Sequence, residues 1–482
     1  VKTTTGIAVL AIAVLLAATA PTGCCGSLEA DRGKLDLPTV QKTLDRKHRE
    51  IAANGQGRLW AGAALVDITP AEAYGKGIYL GGFDMGRKSK GVRDPVYAHV
   101  LYMDDGREPF VLVTLDTIGL MNPAVKDIRA LATDTHGSRI VIATTHDHVG
   151  PDTIGYWGPA VGGFLPICTG LCPNYMETLK HQVAAGIDQA VLSARPARLR
   201  FGQGMADPGL SINIHPQVRD EKNDTVRVMA VEDEAGAPIA LVANWGCHAE
   251  ALWNDDMLSA DWPGVFYERV RKEWGGVPIF IEGALGGLVT TDPGAEKMAL
   301  EKDIMDVFLK HMSMDERVAL MNRVGNSIAD TVFQILKGAG EAVGPEGVSL
   351  RSANKVLDLN VNNWIFEYMG NRRLIDRPVT TRDRQMFMTT DLTVLRVQAG
   401  GRTIAEFSSI PGEPSPPFVT LLEEGAGTPM HFTVALGNDE IGYVVRQEDW
   451  DLPKYEYERT MSLGKETGTR ILETINILRE EL

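Results

Sequence analysis

Residues 139–152, RIVIATTHDHVGPD, decide how this chain is read. Ile140 to Ala143 form an apolar, largely β-branched run that stops at Thr144, Thr145 and two histidines, with Gly150-Pro151 just beyond. Branched side chains fit a pleated surface and turn residues end it, so the run predicts a buried strand opening into a loop. Alternation along an extended chain puts His146 and His148 on the same side. Loops at strand ends are where α/β proteins gather ligand groups. Read alone, the pair fits surface or core-satisfied histidines equally well.

Outward from this run, strands and helices alternate. Strand-like runs occur at 98–103, 110–116, 198–201, 225–231, 239–245 and 278–281, then at 392–397, 404–408 and 432–435. Helical stretches lie between several of them, at 123–133, 175–194 and 262–274. In the last, Trp262, Phe266, Val270 and Trp274 recur every four residues behind Asp261, a predicted N-cap. Residues 294–338 read as largely helical and methionine-rich, a packing signature. The closing helix is expected over 457–482, with Ile471, Leu472, Ile475 and Leu478 aligned. An amphipathic helix is predicted at 39–52, with Val40, Leu44 and Ile51 on one face. The alternation predicts an α/β fold, a single large mixed-sheet domain over 59–482.

The chain has 482 residues, 44% hydrophobic and 23% charged, the composition of a soluble globular protein. Its net charge of -15 argues against nucleic acid or anionic lipid as a partner, since both need a basic surface. Residues 1–24 read as a signal peptide: Lys2, the apolar run 7–16, then Ala18-Thr19-Ala20 before Gly23-Cys24-Cys25. That run is too short to span a bilayer stably. The Gly-Cys junction resembles a bacterial lipoprotein cleavage site with Cys24 lipidated. Export is therefore expected, to the periplasm or cell envelope or into the medium, with membrane attachment through Cys24. Residues 25–58 follow as a linker and helix. Disulfides are permitted outside the cytoplasm, and Cys168 and Cys172, in PICTGLCP at 166–173, could close a small ring. Cys247 reads as a buried, inert thiol.

Three more strand ends carry candidate chemistry. LVANWGCHAE at 241–250 leads to His248, and SADWPG at 259–264 places Asp261 at a helix start. FSSIPGEPSPP at 407–417 runs through a Pro-Gly turn to Glu413, and LGNDEIGYVV at 436–445 sets Tyr443 after Gly442. Each alone fits a solvated glutamate or a packed tyrosine. Together the segments resemble the catalytic N-terminal domain of the neutral ceramidase family, over most of residues 60–460. Its Thr-His-x-His-x-Gly-Pro motif matches 145–151, Asn-Trp-x-x-His matches 244–248, and Pro-Gly-Glu matches 411–413. An Asn followed by a loop ending in Tyr-Val matches 438–444. The resemblance implies one zinc ion on His146, His248, Glu413 and Tyr443, with His148 as the neighbouring active-site histidine. Tyr455, followed by Glu456, matches a further family tyrosine that contacts the reacting carbonyl.

The departures bear on mechanism. The family's nucleophilic serine falls on Val289 within GALGGLVTTD at 283–292, where Thr290 and Thr291 are nearby hydroxyls. A substrate-gripping arginine falls on Ile214, and the family's C-terminal immunoglobulin-like domain is expected to be missing. The resemblance thus implies an exported zinc-dependent hydrolase of a linear amide, with an N-acyl, ceramide-like substrate and a metal-activated water as nucleophile. His148 is expected to take or relay the proton, and Tyr455 to donate a hydrogen bond to the developing oxyanion. Asp116 is a candidate partner for a ligand imidazole, or a turn residue. The loop IGYWGPAVGGFLP at 154–166 reads either as lining for an apolar groove or as packing. Two other readings stay open: an esterase or lactonase on the same zinc site, and an inactive metal- or ligand-binding lipoprotein.

Overall fold

Side chains that alternate between two apolar surroundings build a sheet covered on both faces, and eight strands form such a sheet here, most of them buried along their length. In chain order they are β1 (Trp60–Asp67), β2 (Tyr97–Asp104), β3 (Pro109–Leu115), β4 (Ile140–Thr144), β5 (Arg195–Met205), β6 (Thr225–Asp233), β7 (Pro238–Trp245) and β8 (Val277–Glu282). They lie in the order β8-β7-β6-β5-β1-β2-β3-β4. This is a computed structural model, and it describes residues 37–482 except 55–56, 133–136, 216–217 and 302. The signal segment and Cys24 lie outside the described residues.

A second sheet pairs β9 (Val348–Asn360), β10 (Gln385–Ala399), β11 (Arg402–Ser409) and β12 (His431–Val434) in that order, with a fifth short strand, Thr380–Arg382, pairing β10. The covering helices are α1 (Leu37–Asn54), α2 (Asn122–Leu131), α3 (Pro173–Leu192), α4 (Asp261–Glu273), α5 (Met314–Gly338), α6 (Pro416–Gly425) and α7 (Thr467–Glu481). Within the two main sheets the parallel pairs are β3–β4, β7–β8 and β11–β12. Parallel neighbours need a crossover rather than a hairpin, and α2, α4 and α6 supply the three.

The sheets pack face to face. Leu101, Leu112, Val141 and Val242 of the first meet Leu350, Leu395, Phe407 and Phe432 of the second in one buried cluster. The Phe407 and Phe432 rings stack 4.4 Å apart. The intervening residues Val100, Tyr102, Val111 and Val113 turn the other way, onto Leu179, Val183 and Ile187 of α3. Val228 and Leu241 likewise face Phe266 of α4 and Val324 of α5. Leu392 and Val394 face Phe418 of α6 and Ile471 of α7. The result is a mixed α/β architecture of helix, sheet, sheet and helix layers.

Several sequence expectations change. The region 294–338 divides into Ala295–Met298, Ile304–His311 and α5. Ser313 and Glu316 form a capping box that restarts the chain as α5. The closing helix is split: Glu456–Thr460 stands apart from α7. Asp261 is the first residue of α4 rather than its N-cap, which is Ala260. The Cys172 sulfur lies 3.8 Å from Glu72 Oε1, and no disulfide joins it to Cys168. Among the described residues, no helix is long and apolar enough to cross a membrane.

Candidate metal centre

Each parallel pair releases its chain at the same end of the molecule, and the site assembles there. His146 follows β4, His248 follows β7, Glu413 follows β11, and Tyr443 follows β12. Glu413 and Tyr443 are directly opposed in a short parallel bridge between Glu413–Pro414 and Tyr443–Val444. Asn438 docks the tyrosine loop onto β4. Its side chain accepts the Ile142 N–H (3.1 Å), and its own N–H donates to the Ile142 carbonyl (2.7 Å). It does so at φ +69°, a left-handed conformation that asparagine tolerates.

The two histidines of the opening motif meet for a different reason from the one expected. The strand stops at Thr144, and His146 sits at φ +54°, so alternation along a strand does not apply. Loop hydrogen bonds set the geometry instead: Asp147 N–H to the Thr117 carbonyl (3.2 Å), and His148 N–H to the Ala249 carbonyl (3.0 Å). The rings of His146 and His148 lie 4.8 Å apart, and each lies 5.0–5.3 Å from the ring of His248.

Backbone carbonyls aim two of these rings. His146 Nδ1 donates to the Ile118 carbonyl at 2.7 Å, and His248 Nδ1 to the Val289 carbonyl at 2.8 Å. A carbonyl can only accept, so Nδ1 carries a hydrogen and Nε2 is the nitrogen that faces inward, as metal-ligating histidines require. Those Nε2 atoms lie 3.6 and 3.1 Å from Glu413 Oε2, and the Tyr443 hydroxyl donates to the same carboxylate. Donors about 2.0–2.1 Å from one tetrahedral ion would be about 3.3 Å apart, so the arrangement suits a divalent cation. The ring nitrogens of His148 are close enough to those of His146 and His248 to join them.

The charges agree with a site built for a cation. Burial pulls the His146 imidazole down to about 4, despite the neighbouring Glu413. Burial also holds His148 well below the usual range, with His146, His248 and Arg87 adding to the effect. Burial lowers His248 too, but the Glu250 and Glu413 carboxylates outweigh it and bring this imidazole to about 9. For Glu413 burial would raise the carboxyl, yet His146, His248 and Tyr443 hold it below the ordinary carboxylate range.

The remaining candidates scatter. Tyr455 donates its hydroxyl to Glu221 at 2.8 Å and lies outside the cavity above the histidines; Tyr457, two residues on, lines it. Val289, at the serine position, is buried, and its carbonyl receives both the main-chain N–H and Nδ1 of His248. Thr290 faces Glu250, and Ile214 packs into the core. Asp116 does not touch a ligand imidazole: its carboxylate accepts from Tyr97 N–H and Tyr267 hydroxyl and pairs with His99. From the aromatic loop, Ile154, Tyr156 and Trp157 line the cavity. Asp152 holds them there by accepting the N–H groups of Ile154, Gly155 and Trp157 at 2.7–3.0 Å.

Three residues of the site escaped the sequence reading. Glu250 places Oε2 3.2 Å from His148 Nδ1, Glu440 joins His146 and Glu413 in a second ligand-like cluster, and Tyr457 borders the cavity. One signal was present. Tyr455-Glu456 and Tyr457-Glu458 offer the same dipeptide twice, so the motif alone did not choose between them.

No family model matches the chain, and no curated protein does. Among solved structures it is similar to neutral ceramidase from Pseudomonas aeruginosa, with a TM-score of 0.65 and 16% identity, covering 88% of this chain and 75% of that one. It is also similar to a ceramidase complexed with C2, with a TM-score of 0.64 and 15% identity, covering 88% and 76%. The chain therefore has a neutral ceramidase-like fold.

Proposed function

We propose that the protein is a metal-dependent hydrolase of a linear amide bearing an apolar N-acyl chain. One observation carries the reading: two imidazoles fixed through Nδ1 on backbone carbonyls point Nε2 at Glu413, on the floor of an apolar cavity. Tyr156, Trp157, Phe366 and Met369 wall that cavity, which suits an acyl chain. The shared fold with ceramidases supports the amide bond as target. His146, His248, Glu413 and Tyr443 would hold the ion; nitrogen and oxygen donors favour zinc. Such an ion, when bound, polarises a carbonyl and acidifies water.

The chain's own groups do the rest. His148 is kept neutral by its surroundings and accepts a proton from the attacking water, then returns it to the leaving nitrogen. Glu250, 3.2 Å from His148 Nδ1, stabilises the imidazolium while it lasts. Tyr457, at the cavity mouth, takes the oxyanion-donor part first expected of Tyr455. The signal segment and lipidated Cys24 complete the reading as an exported, envelope-attached enzyme, and mass spectrometry of the mature protein checks that part.

Elemental analysis of the purified protein, paired with hydrolysis of N-acyl amides and matching esters, tests the proposal. About one zinc per chain and amide turnover are expected, both lost in His146→Ala. Bound metal without turnover on any substrate would leave an inert binding module, and a protein that takes up no metal would end the reading.

A further inference from the structure

The cavity above the histidines is small. It holds about 80 Å³, well below the roughly 300–1,000 Å³ of a usual ligand pocket. Met121, Ile154, Phe366, Met369 and Ile375, all nearly fully buried, form its inner wall. Tyr156, Trp157, Tyr457 and Met461 form its outer edge and reach solvent. The larger grooves beside Trp364 (about 420 Å³) and beside Phe201 (about 580 Å³) share no lining residue with it.

The walls are tied to one another. The Ile154 carbonyl accepts the Asp376 N–H at 3.3 Å, and the Ile375 carbonyl accepts the Arg377 N–H at 2.8 Å. Gly155, at φ +101°, stands so close to the Leu374 carbonyl that a Cβ there would overlap it. A Cβ on Gly370, in the helix Trp364–Asn371 that carries Phe366 and Met369, would overlap Val379. Neither the aromatic loop nor that helix has room to retreat, so widening the cavity means displacing backbone. An apolar cavity of about 150 Å³ takes benzene, and by that measure one of about 80 Å³ takes roughly three carbons. Resting on the amide-hydrolase reading above, we propose that the substrate's acyl group is short: the cavity holds roughly three carbons beyond the carbonyl, and any further carbons pass Tyr457 into water. Each methylene buried against an apolar wall strengthens binding about fourfold, and one left in water adds nothing. The signature of the proposal is therefore a break in a chain-length series.

Binding to the metal-free protein tests this without turnover. The probes are N-acylethanolamines with acetyl, butanoyl, hexanoyl, octanoyl and decanoyl groups, titrated calorimetrically. Affinity should rise about fourfold per methylene as far as butanoyl, then by less than about 1.5-fold per methylene. A rise that continues to decanoyl, or a series flat from acetyl onward, overturns the proposal. Met369→Ala removes Cγ, Sδ and Cε from the wall and should move the break out by roughly three carbons. Trp364→Ala, on the same helix but outside the cavity, should leave it at butanoyl. A break that stays at butanoyl in a folded Met369→Ala also overturns the proposal; if that variant fails to fold, the wild-type series decides alone. With metal restored, kcat/KM should show the same break. A break in binding with no hydrolysis of any probe would sink the hydrolase reading and leave the size limit standing.

Discussion

A single methyl group at Gly82 would decide where His148 stands. Gly82 adopts φ +94°, and a Cβ built there falls 2.5 Å from the Cβ and Cγ of His148. Neither atom can yield cheaply, because Phe83 packs edge-on against the imidazole at 4.9 Å and Arg87 holds the His148 carbonyl at 2.7 Å. Gly82→Ala should therefore displace the proton acceptor while leaving His146 and His248 in place. The expected result is a loss of about 100-fold in kcat with zinc content unchanged, read by steady-state kinetics and elemental analysis. The two tyrosines give a sharper contrast. The Tyr455 hydroxyl is already committed to Glu221, so Tyr455→Phe should leave turnover within about threefold of wild type. Tyr457 lines the cavity, and Tyr457→Phe should slow kcat by about 100-fold, the scale of one oxyanion donor. The reverse order of effects would restore the motif-based assignment and remove Tyr457 from the site.

At the scale of elements, α4 holds the loop that presents His248. The Asp261 carboxylate accepts N–H groups from Ala251, Leu252 and Trp262, and the Trp262 indole donates to the His248 carbonyl at 3.0 Å. Asp261→Ala strips partners from three buried donors at a residue with φ +51°. A destabilisation of about 2–4 kcal/mol is expected, measured by chemical denaturation, together with weaker zinc retention. Little of this was legible beforehand. The ligand segments were legible because each joins an apolar strand to a turn, a pattern carried by neighbouring residues. The faces of the two sheets were not, since the strands are buried on both sides and their apolar runs do not say which layer each residue meets. β9 was missed altogether: it carries Arg351, Asn354, Lys355 and Asp358 among its apolar residues, and its partner in β10 is remote in sequence. Glu250 and Glu440 were hidden for a related reason. Both look like ordinary loop carboxylates until three separate strand ends bring them to one place.

For the whole molecule, the candidate centre is a cross-link between layers. His146 and His248 leave the first sheet, Glu413 and Tyr443 the second, so an ion held by all four ties the sheets together where their strands end. Zinc at about 1,000 times its dissociation constant should add about 4 kcal/mol to stability, and chelation should lower Tm accordingly. The pH dependence of that loss has a sign fixed by His248. In the metal-free fold its imidazole is raised to about 9 by Glu250 and Glu413, which outweigh the opposing effect of burial, against about 6.5 in an unfolded chain. The folded state binds this proton more tightly, so its contribution is complete below about pH 6.5 and is lost as pH climbs through about 9. A ligated imidazole cannot keep that proton on Nε2, so zinc uptake between those limits should release it, and zinc affinity should rise with pH over the same window. Thermal melts from pH 6 to about 9.5, with chelator and with zinc, read both halves of the argument. The metal-free protein should lose stability across the window relative to His248→Gln, and the zinc-loaded protein should not show that loss. A metal-free curve parallel to that of His248→Gln would mean that the ion pair between His248 and the two carboxylates does not form in solution.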